Sequence, residues 1–88
     1  MTLLNKPIEV TAYLDSAGII KPVKFKNVND DGTTTLFNIQ RSIRRDREKL
    51  GEGVYVYTFT CEVIVDEKTI LCDLKYNVQT KAWVLFRM

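Results

Sequence analysis

Histidine is absent from the 88 residues, which removes the commonest general base and every serine or cysteine mechanism that depends on one. Cysteine is scarce: Cys61 and Cys72 alone, without histidine, cannot complete the usual four-ligand zinc site. No glycine-rich phosphate loop is present, because Gly51-Glu52-Gly53 lacks the lysine and the following helix that such a loop needs. The adjacent acidic pairs Asp30-Asp31 and Asp66-Glu67 fall in expected turns, where acidic side chains serve backbone geometry and solubility. These absences predict no catalytic residue, no metal, no cofactor and no enzyme activity.

Long apolar runs are missing as well. Nothing approaches the roughly 20 residues that span a bilayer, and Met1–Pro7 lacks the charged region and apolar core of a secretory signal. The expectation is a cytoplasmic protein with reduced thiols and no membrane partner.

A strong excess of charge is also lacking: 13 basic and 11 acidic residues leave a net charge of +2. What is present is a globular composition, 45% apolar and 27% charged, unlike that of a disordered chain. The length suits one small domain over residues 1–88. The positive excess is concentrated, since residues 39 to 51 hold five basic and two acidic groups while the rest of the chain is slightly acidic.

Alternation of apolar and polar residues marks half-buried strands. Ile8, Val10, Ala12 and Leu14 share one face of a first strand, and Glu9, Thr11, Tyr13 and Asp15 share the other. Asp15-Ser16-Ala17-Gly18 supplies a turn. A second strand over Pro22 to Val28 sets Val23 and Phe25 against Lys24 and Lys26, and Asn29-Asp30-Asp31-Gly32 makes the next turn. Thr33 to about Arg41 is β-branched, with Phe37 and Ile39 on one face.

Three further strands are expected over Val54 to Val65, Thr69 to Val78 and Ala82 to Met88. A hairpin closing near Asp66-Glu67 opposes Val63 to Ile70, Phe59 to Leu74, Tyr57 to Tyr76 and Cys61 to Cys72. Whether the two cysteines can form a disulfide depends on the loop length, which decides between a hydrogen-bonded and a non-hydrogen-bonded pair. In strands they read as small buried apolar groups. Six short strands with tight connections predict an all-β, mostly antiparallel barrel, SH3-like or related, with at most one short helix near residues 43–50.

That helix rests on Ser42 as N-cap, Gly51 just past the end, and Ile43, Arg47 and Leu50 at helical spacing. It would pair Arg44 with Glu48 and Asp46 with Lys49. Three readings of the stretch stay open, one of them a protein-partner segment. The other two are a solvated connection pinned by Ile43 and Leu50, and an anion-binding arm in which Arg41, Arg44, Arg45, Arg47 and Lys49 contact phosphates, helped by Lys24 and Lys26. Arginines clustered on a concave face would favour nucleic acid; arginines tied to Asp46, Glu48 or Glu52 would favour the connection.

Six of the nine aromatics lie between residues 55 and 86. Rings beside a positive groove can stack bases, yet Tyr55, Tyr57 and Phe59 share a face with Cys61, Val63 and Val65, which assigns them to the core. Tyr13, on a polar strand face, is the ring expected at the surface.

The series Ile8-x-Val10-x-Ala12, Asp15, Gly18, Ile20, Pro22, Phe25, Phe37-x-Ile39, the arginine-rich segment, Gly51-x-Gly53, Tyr57-Thr58 and Trp83 resembles a group of short, uncharacterised bacterial proteins of about this length. The resemblance implies a small β-barrel with an arginine-containing segment at this point and carries no activity. Some of those proteins travel with DNA-repair polymerases, which implies proximity to nucleic acid by association. The chain departs from them in its long fourth strand and in Asn77-Val78-Gln79-Thr80.

The expectation is therefore a non-enzymatic binding or accessory module. The leading partner is nucleic acid, held weakly and without sequence preference by the 41–49 segment. The alternative is a protein, held at a barrel edge or a groove beside Tyr13. Either a monomer or an edge-strand homodimer is compatible with the pattern.

Overall fold

The computed structural model describes residues 1–88. Its strands are β1 (Leu3–Leu14), β2 (Ile20–Val28), β3 (Thr34–Gly51), β4 (Val54–Val65), β5 (Lys68–Asn77) and β6 (Trp83–Arg87). Each pairs antiparallel with the next, and β6 returns to β1, so the sheet closes into a barrel without any helix. The six-stranded all-β expectation holds, and no helix is long and apolar enough to cross a membrane.

Inward-facing residues build a core around Phe25, Phe37, Phe59, Cys61, Val63, Cys72, Leu74, Trp83 and Leu85. Phe25 and Phe37 oppose each other across β2 and β3 and stack at 5.0 Å. Elsewhere in the core Trp83 packs on Phe59 at 5.6 Å and on Tyr76 at 4.6 Å. Aromatic burial of this kind gives a short barrel more buried area than aliphatic side chains could supply.

The expected pairing of Val23 with Phe25 on one face fails at a bulge. Thr11 pairs with Lys24 but Ala12 pairs with Pro22, which leaves Val23 as an extra residue. An inserted residue reverses the alternation beyond it. Phe25 and Pro22 are accordingly buried, and Val23 is exposed.

The larger departure is β3, which runs on to Gly51 and absorbs residues 43–50 into a strand. Opposite them β4 offers Tyr55, Val56, Tyr57, Thr58, Phe59 and Thr60, a β-branched and aromatic template that favours an extended neighbour. An eight-residue helix is too short to hold itself without tertiary packing. Ile43 and Leu50, its expected anchors, are both exposed.

Between β4 and β5 the expected register is found at every position named: Cys61 faces Cys72, Phe59 faces Leu74 and Tyr57 faces Tyr76. The turn is the two-residue Asp66-Glu67, with φ of 50° and 65°, the left-handed pair of a type I′ hairpin. Glutamate is poorly suited to that conformation, which costs a non-glycine residue roughly 1–2 kcal/mol. Glu67→Gly is expected to stabilise the fold by about 1 kcal/mol, read as a rise in the urea midpoint; an unchanged or lower midpoint would show that the turn is unstrained.

Candidate functional site

Strand β2 pairs with β3 only from Lys24↔Asn38 to Val28↔Thr34, whereas β3 pairs with β4 on its other side as far as Gly51. Past Asn38 the two strands separate. A cleft of about 610 Å³ opens between them, with Phe59 at its floor and Tyr13, Lys21, Arg41, Arg44 and Arg45 among its walls. One edge of β3 in this region has no strand partner, so part of its backbone hydrogen-bonding capacity is free.

Bulges sort the basic residues. The β3 register slips between Ile39 and Arg41 and again between Ser42 and Arg44. From Arg44 onward the alternation is regular, with Arg45, Arg47 and Lys49 opposite Phe59, Tyr57 and Tyr55, while Arg44, Asp46 and Glu48 oppose Thr60, Thr58 and Val56 on the other face. The helical pairs Arg44–Glu48 and Asp46–Lys49 are therefore not made. Instead Arg44 Nε meets Asp46 Oδ2 at 2.8 Å, two residues along the same strand face, and Arg41 Nη2 meets Glu62 Oε1 across the ladder at 3.0 Å. The link to Glu62 raises the Arg41 pKa further and fixes its charge.

Arg45, Arg47 and Lys49 form no ion pair. The Arg45 guanidinium lies 5.3 Å from the centre of the Tyr57 ring and that of Arg47 lies 5.0 Å from Tyr55. Cation–π contact of this kind holds a guanidinium in place while leaving its N–H edge available. Asp15 is the one carboxylate in the cleft wall. Its Oδ1 accepts hydrogen bonds from the Ile19 and Ala17 amides, which with Lys21 lower its pKa, and its other oxygen is 3.6 Å from Lys21. The cleft is thus net positive, with its acid already engaged.

Tyr13 is 53% exposed and stands in the cleft wall, so the residue expected to meet a protein shares one depression with Arg41, Arg44 and Arg45, while Arg47 and Lys49 lie beyond it along β3. Lys24 and Lys26 do not join them. Both point outward from the paired half of β2, beside a separate shallow depression that also contains Glu9 and Leu36. Sequence reasoning missed Lys21 and the opening itself. The available signal was the two-residue spacing of Arg45, Arg47 and Lys49, which fits a strand better than the helix inferred from Ile43, Arg47 and Leu50.

Cys61 and Cys72 are free thiols, wholly buried. Hydrogen bonding to Cys61 and burial hold the Cys72 thiol well above the ordinary thiol range. A raised folded-state pKa contributes stability that is full below the unfolded value and declines as pH rises past it. Stability should therefore fall through the alkaline range more steeply than in a Cys72→Ala variant, and native protein should resist thiol reagents until denaturant is added. Rapid labelling without denaturant would contradict the burial.

No three histidine, cysteine, aspartate or glutamate side chains are grouped to hold a metal ion. Comparison of the chain with protein-family models, with curated proteins and with solved structures finds no match in any of the three.

Proposed function

We propose that this chain is a non-enzymatic, cytoplasmic binding module that holds single-stranded nucleic acid along the cleft between β2 and β3, without sequence preference. Phosphates lie against Lys21, Arg41, Arg44 and Arg45 in the cleft wall and continue past it along β3 to Arg47 and Lys49. The observation that carries the reading is the convergence of Lys21, Arg41, Arg44 and Arg45 with Tyr13 on one concave surface, while Arg45, and Arg47 and Lys49 beyond it on β3, have no acidic partner. Arginine forks match phosphate oxygens whatever the base. Single strands suit the site better than duplex, because unpaired bases can reach tyrosine rings beside a positive groove.

Affinity in the micromolar range or weaker is expected at physiological salt, falling steeply as salt rises. Fluorescence-anisotropy titration of labelled single- and double-stranded oligonucleotides at two salt concentrations tests this. Absence of binding at low salt, where attraction is strongest, would overturn it.

The unpaired edge of β3 favours a second reading, an extended peptide that adds a strand there. A second copy of the chain is a poor candidate for that strand. Antiparallel self-pairing centred on Arg45, Asp46 or Arg47 would oppose Arg45 to Arg45, Arg47 or Lys49 respectively, and directly opposed like charges destabilise a ladder. A monomer with an acidic peptide partner fits instead. Such a partner would slow amide exchange at alternate positions of Ser42–Lys49; unchanged exchange in its presence would exclude strand addition.

A further inference from the structure

Beside the cleft lies a second cavity of about 300 Å³, bounded by Tyr55, Tyr57, Tyr76, Val78 and the β1–β2 turn. Ile19, Ile20 and Arg45 border both cavities, so the two openings share a wall and Arg45 stands at their junction. Its volume is at the bottom of the range for small-ligand sites, roughly 300–1,000 Å³. That admits a single ring system rather than a folded chain.

We infer that this cavity receives one nucleobase of the strand whose phosphates occupy the cleft, an inference that rests on the nucleic-acid reading above. Three features of the cavity support that occupant over a purely apolar one. Three of the nine lining residues are tyrosines, beside the aliphatic Leu14, Ile19, Ile20 and Val78, and a base stacks on aromatic rings irrespective of its identity. All three tyrosines are half-buried, so their rings are backed by the core yet face open space; Tyr76 in particular rests on Trp83 at 4.6 Å. Finally, the only charged group in the wall is Arg45, which no carboxylate neutralises and which is already held over Tyr57 at 5.3 Å. An anionic linkage at the mouth and a flat ring inside match that arrangement of charge and aromatic surface.

The arrangement also assigns roles. Arg45 positions the phosphate between the two cavities, and Tyr57 and Tyr76 form the stacking surface. The β1–β2 turn forms part of the wall through Gly18, at φ 77°, and Ile19.

The test compares a labelled oligothymidylate with an abasic oligodeoxynucleotide of the same length and charge, titrated against the intact protein at low salt by fluorescence anisotropy. The oligothymidylate should bind about tenfold tighter, since stacking of one base is worth roughly 5- to 150-fold. Tyr76→Leu, which keeps an apolar side chain beside Trp83, should narrow that gap, and thermal melting confirms that the variant folds. Equal binding of the two oligonucleotides by the natural sequence would overturn the nucleobase inference and leave the phosphate-binding cleft standing. Failure of both to bind would overturn the cleft reading and the inference with it.

Discussion

Replacing Arg45 and Arg47 together with alanine is expected to weaken single-stranded oligonucleotide binding by about a hundredfold at low salt, roughly tenfold for each charge-assisted hydrogen-bonding arginine removed. Arg41→Ala should cost less, roughly threefold or under, because Arg41 is already joined to Glu62 at 3.0 Å and must share its guanidinium with that carboxylate. The ranking follows from geometry and not from charge count. All three are arginines on one strand, yet only Arg45 and Arg47 lie on the tyrosine face without an acidic neighbour. The fold should tolerate these changes, since residues 41–50 are all exposed. Anisotropy titrations of the double variant and of Arg41→Ala measure the ranking directly; equal losses would mean that the segment acts as undirected charge.

Arg87→Met is expected to cost about 2 kcal/mol of folding stability, because it strips the buried Asp73 of its counter-ion, although the Arg87 side chain itself is 46% exposed. Asp73 is 1% exposed, lying on the outer face of β5 between the inward-pointing Cys72 and Leu74. Its Oδ2 accepts from Arg87 Nε at 2.9 Å and Nη2 at 2.5 Å, and its Oδ1 accepts from the Thr60 hydroxyl at 2.7 Å. Methionine retains the apolar stem of Arg87 and removes the guanidinium, which leaves a buried carboxylate with one neutral donor. Adding Asp73→Asn should recover much of the loss, because the buried charge is then gone. Urea unfolding of both variants reads the effect, and a loss below about 1 kcal/mol for Arg87→Met would place the pair with weak surface ion pairs.

The sheet was legible in the sequence wherever one face is buried and the other wet. In β4 and β5 the apolar alternation fixes the register, since a one-residue slip would turn Phe59, Cys61 and Val63 to solvent and Leu74 with them. Legibility fails in the distal half of β3 for the same reason. Residues 41–50 bury no side chain, so no period of two in hydrophobicity marks them, and their composition of arginine, lysine and glutamate favours helices. What decides their conformation is the β4 strand alongside, a long-range term that local propensity does not contain.

The candidate site divides in the same way. The cationic segment was evident from local charge, and Tyr13 from its place on a polar strand face. The cleft was not, because it arises where β2 stops pairing with β3, and nothing in either strand alone announces the length of a shared ladder. Bulges at Val23 and beyond Ile39 turn the strands out of phase with a simple alternation. They also decide which arginines reach the tyrosines and which meet Glu62 and Asp46. Lys24 and Lys26, close to the segment in a linear view of the hairpins, end up on the outside of the barrel through the same geometry.

The central claim is that Arg45 in the cleft wall and Arg47 farther along the same face of β3 bind phosphates, and the salt dependence of binding tests it most directly. Each phosphate neutralised on a single strand contributes roughly −0.7 to the slope of log affinity against log salt. Measured side by side, the natural sequence should show a slope steeper than that of the Arg45→Ala, Arg47→Ala double variant by about 1.4, the contribution of two phosphates. Parallel slopes for the two proteins would contradict the claim, since the removed arginines would then have displaced no counterions.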